Sequence, residues 1–207
     1  MTEIIQGTPE WFALRLGKVT ASRVGDVMSK GKGSAESAGV RNYRAQLVCE
    51  RLTGTVEETY TNSAMQRGVD LEPIARECYE FISGNTVEQV AFVDHPTIPM
   101  AGASPDGCIG EEGLLEIKCP NTAAHIEYLL CGEPPTTYVK QMTWQLACTG
   151  RKWVDFVSYD PRLPEDLQLF VVRFRRDEGD IQEMESAVIA FNASVETMIA
   201  DLKALRP

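Results

Sequence analysis

Apolar positions along the chain follow two different periods. In the N-terminal third the spacing is helical. Thr8-Pro9-Glu10 joins an N-cap to a proline at the first helical position, and Gly17 is placed to end that helix. Thr20 is placed to cap a second short helix through Met28. Residues 29–39 are small, polar and glycine-rich, which predicts a mobile loop carrying Lys30 and Lys32. Further helices are predicted over 40–53 and 63–83, the latter bent at Pro73 and closed by Gly84. The middle of the chain changes to the strand period. Residues 86–94 predict one strand, residues 100–103 approach a turn, and 106–109 with 113–118 predict a hairpin. Helices over 122–130 and 136–149 follow, then strands over 152–159 and 167–176. A last helix over 178–205 places Ile181, Met184, Val188, Phe191, Val195, Met198, Ile199 and Leu202 on one face.

Helices, then mixed strands, then helices predict a single α/β domain, bordering on α+β, with a central mixed sheet flanked by helices. With 207 residues and no long linker, one domain over 1–207 is the simplest division. No apolar run is long enough for a transmembrane helix, and the N-terminus lacks the basic and apolar regions of a signal peptide, so no membrane partner is expected. The six cysteines are scattered without a C-x-x-C pair, which points to free thiols in a reducing cytoplasm rather than a zinc site.

A net charge of −10 argues against a nucleic-acid partner until the chain is split. Residues 1–50 carry seven Lys and Arg against five Asp and Glu, a net of +2; the remainder carries thirteen against twenty-five, a net of −12. Arg15, Lys18, Arg23, Lys30, Lys32, Arg41 and Arg44 therefore form either a phosphate-binding face or a solvated helical surface.

The chemistry concentrates at Ser104-Pro105-Asp106-Gly107 and Glu116-Ile117-Lys118. On a strand, Glu116 and Lys118 project to the same face, and Ile117 to the other. Asp106 is expected across the hairpin from that pair. Two carboxylates, with the Ile117 carbonyl as a third oxygen, suit Mg²⁺, and two such ions activate a water and neutralise a leaving oxygen in phosphodiester hydrolysis. Lys118 is placed to orient or deprotonate that water, or to stabilise phosphate charge. The alternative is a plain Glu116–Lys118 surface salt bridge beside a turn. Glu72 is a further candidate acid, or merely an i,i+4 partner of Arg76. Gln141 and Gln145 lie one turn apart on a predicted helix, where glutamines orient water or stay half-exposed. Arg15 and Ser22 bracket Gly17 as a possible phosphate pocket. Gly31-Lys32-Gly33-Ser34 lacks the spacing and the preceding strand of a nucleotide-binding P-loop.

Several motifs occur in order: Trp11, Leu14-Arg15-Leu16-Gly17, Thr20-Ala21-Ser22, Gly68-x-x-x-Glu72, Ser104-Pro105-Asp106-Gly107, Leu115-Glu116-Ile117-Lys118-Cys119-Pro120, Gln141 and Tyr159-Asp160-Pro161-Arg162. With these the chain resembles the lambda exonuclease group of phage recombination nucleases, the YqaJ-like alkaline exonucleases of the restriction-endonuclease-like superfamily. The resemblance spans residues 8–176. It implies a restriction-endonuclease-like core and a 5′→3′ exonuclease that degrades one strand of linear double-stranded DNA, the alternatives being a structure- or site-specific endonuclease on the same scaffold or a catalytically inactive DNA-binding subunit. It also implies dependence on Mg²⁺, with Mn²⁺ substituting, and a 3′ single-stranded tail handed to a single-strand annealing protein. Asp106, Glu116 and the Ile117 carbonyl are then the metal ligands, Glu72 an additional acid, Lys118 the catalytic lysine and Gln141 a helper. Arg15, with Ser22, is the implied 5′-phosphate pocket, Lys30 and Lys32 are candidate DNA contacts, and Met65 is a candidate apolar wedge. A homotrimeric ring in a bacterial host cytoplasm, encoded by phage or prophage, completes what the resemblance implies. The glycine-rich loop after Met28 and the segment between Cys119 and Gln141 depart from the better-known relative.

Overall fold

The computed structural model describes residues 4–31, 35–56 and 63–205. Lys32 lies outside them. Helix α1 (Pro9–Arg15) starts as predicted, with the Thr8 hydroxyl accepting from the Trp11 amide and Pro9 in the first turn. Strand β1 (Val19–Thr20) follows, then a 3₁₀ turn at Ala21–Arg23 and the short helix α2 (Val24–Val27). Thr20 stands at the N-cap position of that turn, but its hydroxyl makes no cap bond, and its backbone pairs with Gly102 in a parallel ladder. Helix α3 (Ala38–Thr53) begins two residues earlier than predicted, because the Ser37 hydroxyl caps the Val40 amide and draws Gly39 into the helix. Helix α4 (Ser63–Ser83) runs through Pro73.

The segment predicted as one strand divides into β2 (Val87–Glu88) and β3 (Val93–Asp94), which join different sheets. Side chains from far away capture the carbonyls between them. Gln6 donates to Val90 at 2.8 Å, and Trp11 and Ser104 donate to Ala91 at 2.8 and 2.7 Å. A carbonyl held this way is lost to a continuous ladder. Strands β4 (Ala101–Ala103), β5 (Gly107–Ile109) and β6 (Gly113–Lys118) come next. Helices α5 (Thr122–Cys131) and α6 (Thr136–Thr149) cross over to β7 (Trp153–Tyr159), β8 (Leu169–Arg175) and the long α7 (Glu178–Ala204). In place of one central sheet there are two mixed ones, ordered β1-β4-β3 and β2-β5-β6-β7-β8.

Strand β6 is central to the larger sheet. It pairs antiparallel with β5 and parallel with β7, and is buried along nearly its whole length. Leu115 and Ile117 pack with Ala75 and Tyr79 of α4 and with Val157 and Tyr159 of β7. Leu114, on the opposite face, joins the main core with Met142, Trp144 and Leu146 of α6 and Val188 and Phe191 of α7. Both faces are covered, as a parallel strand pair requires. Among the described residues no helix is long and apolar enough to cross a membrane.

Candidate active site

The site forms where β6 ends. Glu116 projects to the α6 side and is fully buried. Its Oε1 contacts the Lys118 ammonium and accepts a 2.6 Å hydrogen bond from Gln141 Nε2. Its Oε2 accepts from Gln145 Nε2 at 2.5 Å. The two glutamines stand one helical turn apart, so a single face of α6 holds both oxygens of one carboxylate. Gln145 is neither half-exposed nor free to orient water, being fully buried on Glu116; a Q-x-x-x-Q spacing opposite a strand acid is the signal that finds it. Its Oε1 is buried without a hydrogen-bond partner.

Asp106 lies one residue before the Gly107–Leu115 pair of the hairpin, and its Oδ2 accepts the Ile117 amide at 2.7 Å. That bond ties the turn carboxylate to the strand carrying Glu116 and Lys118. Burial, then the neighbouring Glu116, push the Asp106 carboxyl well above its usual range, with Glu72 adding to the rise and Lys118 and the Ile117 amide opposing it. Glu72 takes the bond expected of a helical pair, from Arg76 at 2.5 Å. Burial raises its carboxyl, Arg76 and then Lys118 oppose the rise and Glu116 adds to it, which puts Glu72 within electrostatic reach of the cluster. Burial alone would lower the Lys118 ammonium; Glu116 and Asp106 outweigh it and hold the amine charged. Three carboxylates thus surround one lysine.

Arg15 is stacked on the Trp11 ring at 4.1 Å and donates to the Ser104 hydroxyl at 3.1 Å. Trp11 Nε1 reaches the same hydroxyl at 3.0 Å. Ser104 is two residues before Asp106, so this arginine is joined to the acid turn through its serine. Ser22 is exposed, 3.5 Å from the Thr20 hydroxyl, and Lys30 is exposed on the loop. Neither is drawn to the carboxylate cluster by a side-chain bond. Gly17 has φ +68° and donates its amide to the buried Glu50 at 2.8 Å, which fixes the turn behind Arg15.

The donor set suits a hard cation: carboxylate oxygens, a main-chain carbonyl at Ile117, and an orphaned amide oxygen on Gln145. Among the described residues no three His, Cys, Asp or Glu side chains form a ready-made cage. Lys118, Arg76 and the Ile117 amide instead occupy the three acids. A groove of about 510 Å³ at Asn85, Glu88, Glu111, Glu112 and Trp153 lies at the closed end of the hairpin, away from Asp106 and Lys118.

Two acids and a lysine thus meet at the end of a parallel strand pair within a restriction-endonuclease-like fold. An alkaline exonuclease from Laribacter hongkongensis, LHK-Exo, shares 55% identity with this chain at a TM-score of 0.89, covering 95% of this chain and 97% of that one. The same enzyme solved in complex with dAMP matches equally. A phage related exonuclease from Haemophilus somnus 129PT shares the fold at TM-score 0.67 and 15% identity, over 89% and 96% of the two chains. No curated protein matches. The YqaJ-like viral recombinase domain matches residues 10–152, and the chain belongs to that family, among the exonucleases of phage recombination.

Proposed function

We propose that the protein is a Mg²⁺-dependent 5′→3′ exonuclease that degrades one strand of linear double-stranded DNA and leaves a 3′ single-stranded tail. The observation that carries this reading is the convergence of Asp106, Glu116 and Lys118 on one end of β6. Asp106, Glu116 and the Ile117 carbonyl would hold the metal, with Glu72 as a further acid. The ions, once bound, supply an activated water and neutralise the leaving oxygen. Gln141 and Gln145 keep the Glu116 carboxylate oriented. Lys118 stays protonated beside two acids, which favours a role in stabilising phosphate charge over one as a base. In this reading Arg15, joined to the acid turn through Ser104, takes the terminal 5′-phosphate and so sets the polarity. A homotrimeric ring, a single-strand annealing partner and action in the bacterial cytoplasm belong to the same reading. The test is incubation with Mg²⁺ of linear duplex labelled at either 5′ or 3′ ends, beside covalently closed circles. Early release of 5′ label with circles spared is expected. Nicked circles would point to an endonuclease instead, and early release of 3′ label would reverse the polarity.

A further inference from the structure

We propose that Arg67 is a positioning residue for the reaction: with the buried Asp160 it latches α4, the helix of Glu72, onto the Cys119–Pro120 turn that leaves the catalytic strand. This rests on the nuclease reading above. The β6–β7 ladder ends at the Lys118–Ser158 pair, so no strand partner holds the next two residues. Pro120 has no amide to offer. Arg67 takes hold of both: its Nη1 donates to the Cys119 carbonyl at 3.1 Å and to the Pro120 carbonyl at 2.9 Å. Its Nη2 reaches Asp160 Oδ1 at 3.2 Å.

The distances separate two roles for this arginine. A fully buried carboxylate needs compensation, and Asp160 is fully buried. Arg162 already provides it, through Nε at 2.7 Å, Nη2 at 2.8 Å and its own backbone amide at 3.1 Å. The Arg67 contact to Asp160 is longer than the three from Arg162, and Thr122 also bonds this carboxylate; both of Arg67's shorter bonds go to main-chain carbonyls, of which Arg162 reaches only Pro120, at 3.4 Å. Neutralising Asp160 is therefore the work of Arg162; Asp160 in turn steers the Arg67 fork onto the turn. Glu72 lies five residues further along the same helix, so the latch sets how that acid meets Lys118. A lysine cannot reproduce it, because one ammonium cannot span two carbonyls and a carboxylate in the plane of a guanidinium fork.

Arg67→Lys and Arg67→Ala are compared with the unaltered protein in three measurements: hydrogen–deuterium exchange over residues 114–124, thermal unfolding, and turnover of linear duplex in Mg²⁺. For Arg67→Lys the latch predicts near-normal melting, faster exchange confined to that segment, and turnover lowered about tenfold or more with KM for DNA ends unchanged. Normal exchange in that segment overturns the proposal. So does normal turnover despite a loosened segment, or a loss of activity that only follows global unfolding. Should the unaltered protein leave linear duplex intact, the nuclease reading fails, and the exchange measurement alone then decides whether Arg67 holds the turn.

Discussion

Two buried carboxylates on neighbouring strands of one sheet are treated in opposite ways. Asp155 on β7 faces α4 and is served one-to-one: Arg173 forks onto it at 2.7 and 2.9 Å, and the Tyr79 hydroxyl donates at 2.7 Å. Arg173 also lies 3.5 Å over the Trp153 ring. Glu116 on β6 is equally buried but stands with Asp106 and Glu72 around Lys118, Arg76 pairing with Glu72 alone, and Glu116 raises the carboxyls of the other two. The first arrangement closes a charge account within the fold. The second sets three acids against Lys118 and Arg76 at the end of a strand, an arrangement that suits the proposed cation.

The largest expected effect lies on the charged side of this comparison. Lys118→Ala should lower turnover by roughly two orders of magnitude or more, measured under single-turnover conditions, while duplex binding persists. On the structural side, Arg173→Ala strands Asp155 inside the sheet and should lower folding stability by about 3 kcal/mol in denaturant titration. The same variant should leave specific activity per folded molecule unchanged, which is the sharpest contrast with Lys118. Next comes Arg15→Ala, expected to slow digestion of 5′-phosphorylated ends by about tenfold and of 5′-hydroxyl ends far less. Equal slowing of both ends would remove Arg15 from a phosphate pocket.

The smallest effect concerns pH. His95 is stacked on Trp144 at 5.0 Å, and its Nδ1 accepts the Thr97 and Ile98 amides at 3.3 and 3.1 Å. Burial lowers its pKa from 6.5, with Glu185 at 3.2 Å opposing. The unfolded chain therefore takes up a proton that the folded one resists, so stability is complete above 6.5 and declines as pH falls from there toward the lowered folded value. Thermal melts across that range should show the decline, and His95→Gln should flatten it.

The hairpin and the meeting of Asp106, Glu116 and Lys118 on it were legible in the sequence because they are local. Strand alternation separates Glu116 and Lys118 from Ile117, and a thirteen-residue window contains Asp106 as well. The long helices were legible for the same reason: caps and periodicity lie within a few residues of each other. What the sequence hid depends on distant partners. Thr20 looked like a cap because its strand partner, Gly102, is remote in the chain. Residues 86–94 looked like one strand because nothing local announces that Gln6, Trp11 and Ser104 will take its carbonyls. Gln145 resembled any half-exposed helical glutamine until α6 was placed over Glu116. Arg67 gave no signal, since Asp160 is 93 positions away.

The proposed role of Asp106, Glu116 and Glu72 is to receive a divalent cation. A raised carboxyl such as Asp106 is less easily ionised in the fold than in the unfolded chain, so the metal-free protein is less stable above the raised value and gains stability as pH falls through it. The direct measurement is the melting temperature of the unaltered protein and of Asp106→Asn, each with EDTA and with Mg²⁺. The account predicts that Mg²⁺ raises the melting temperature of the unaltered protein. It also predicts that Asp106→Asn melts higher than the unaltered protein in EDTA and gains little from Mg²⁺. An unaltered protein indifferent to Mg²⁺, together with an Asn variant that melts lower in EDTA, would contradict it.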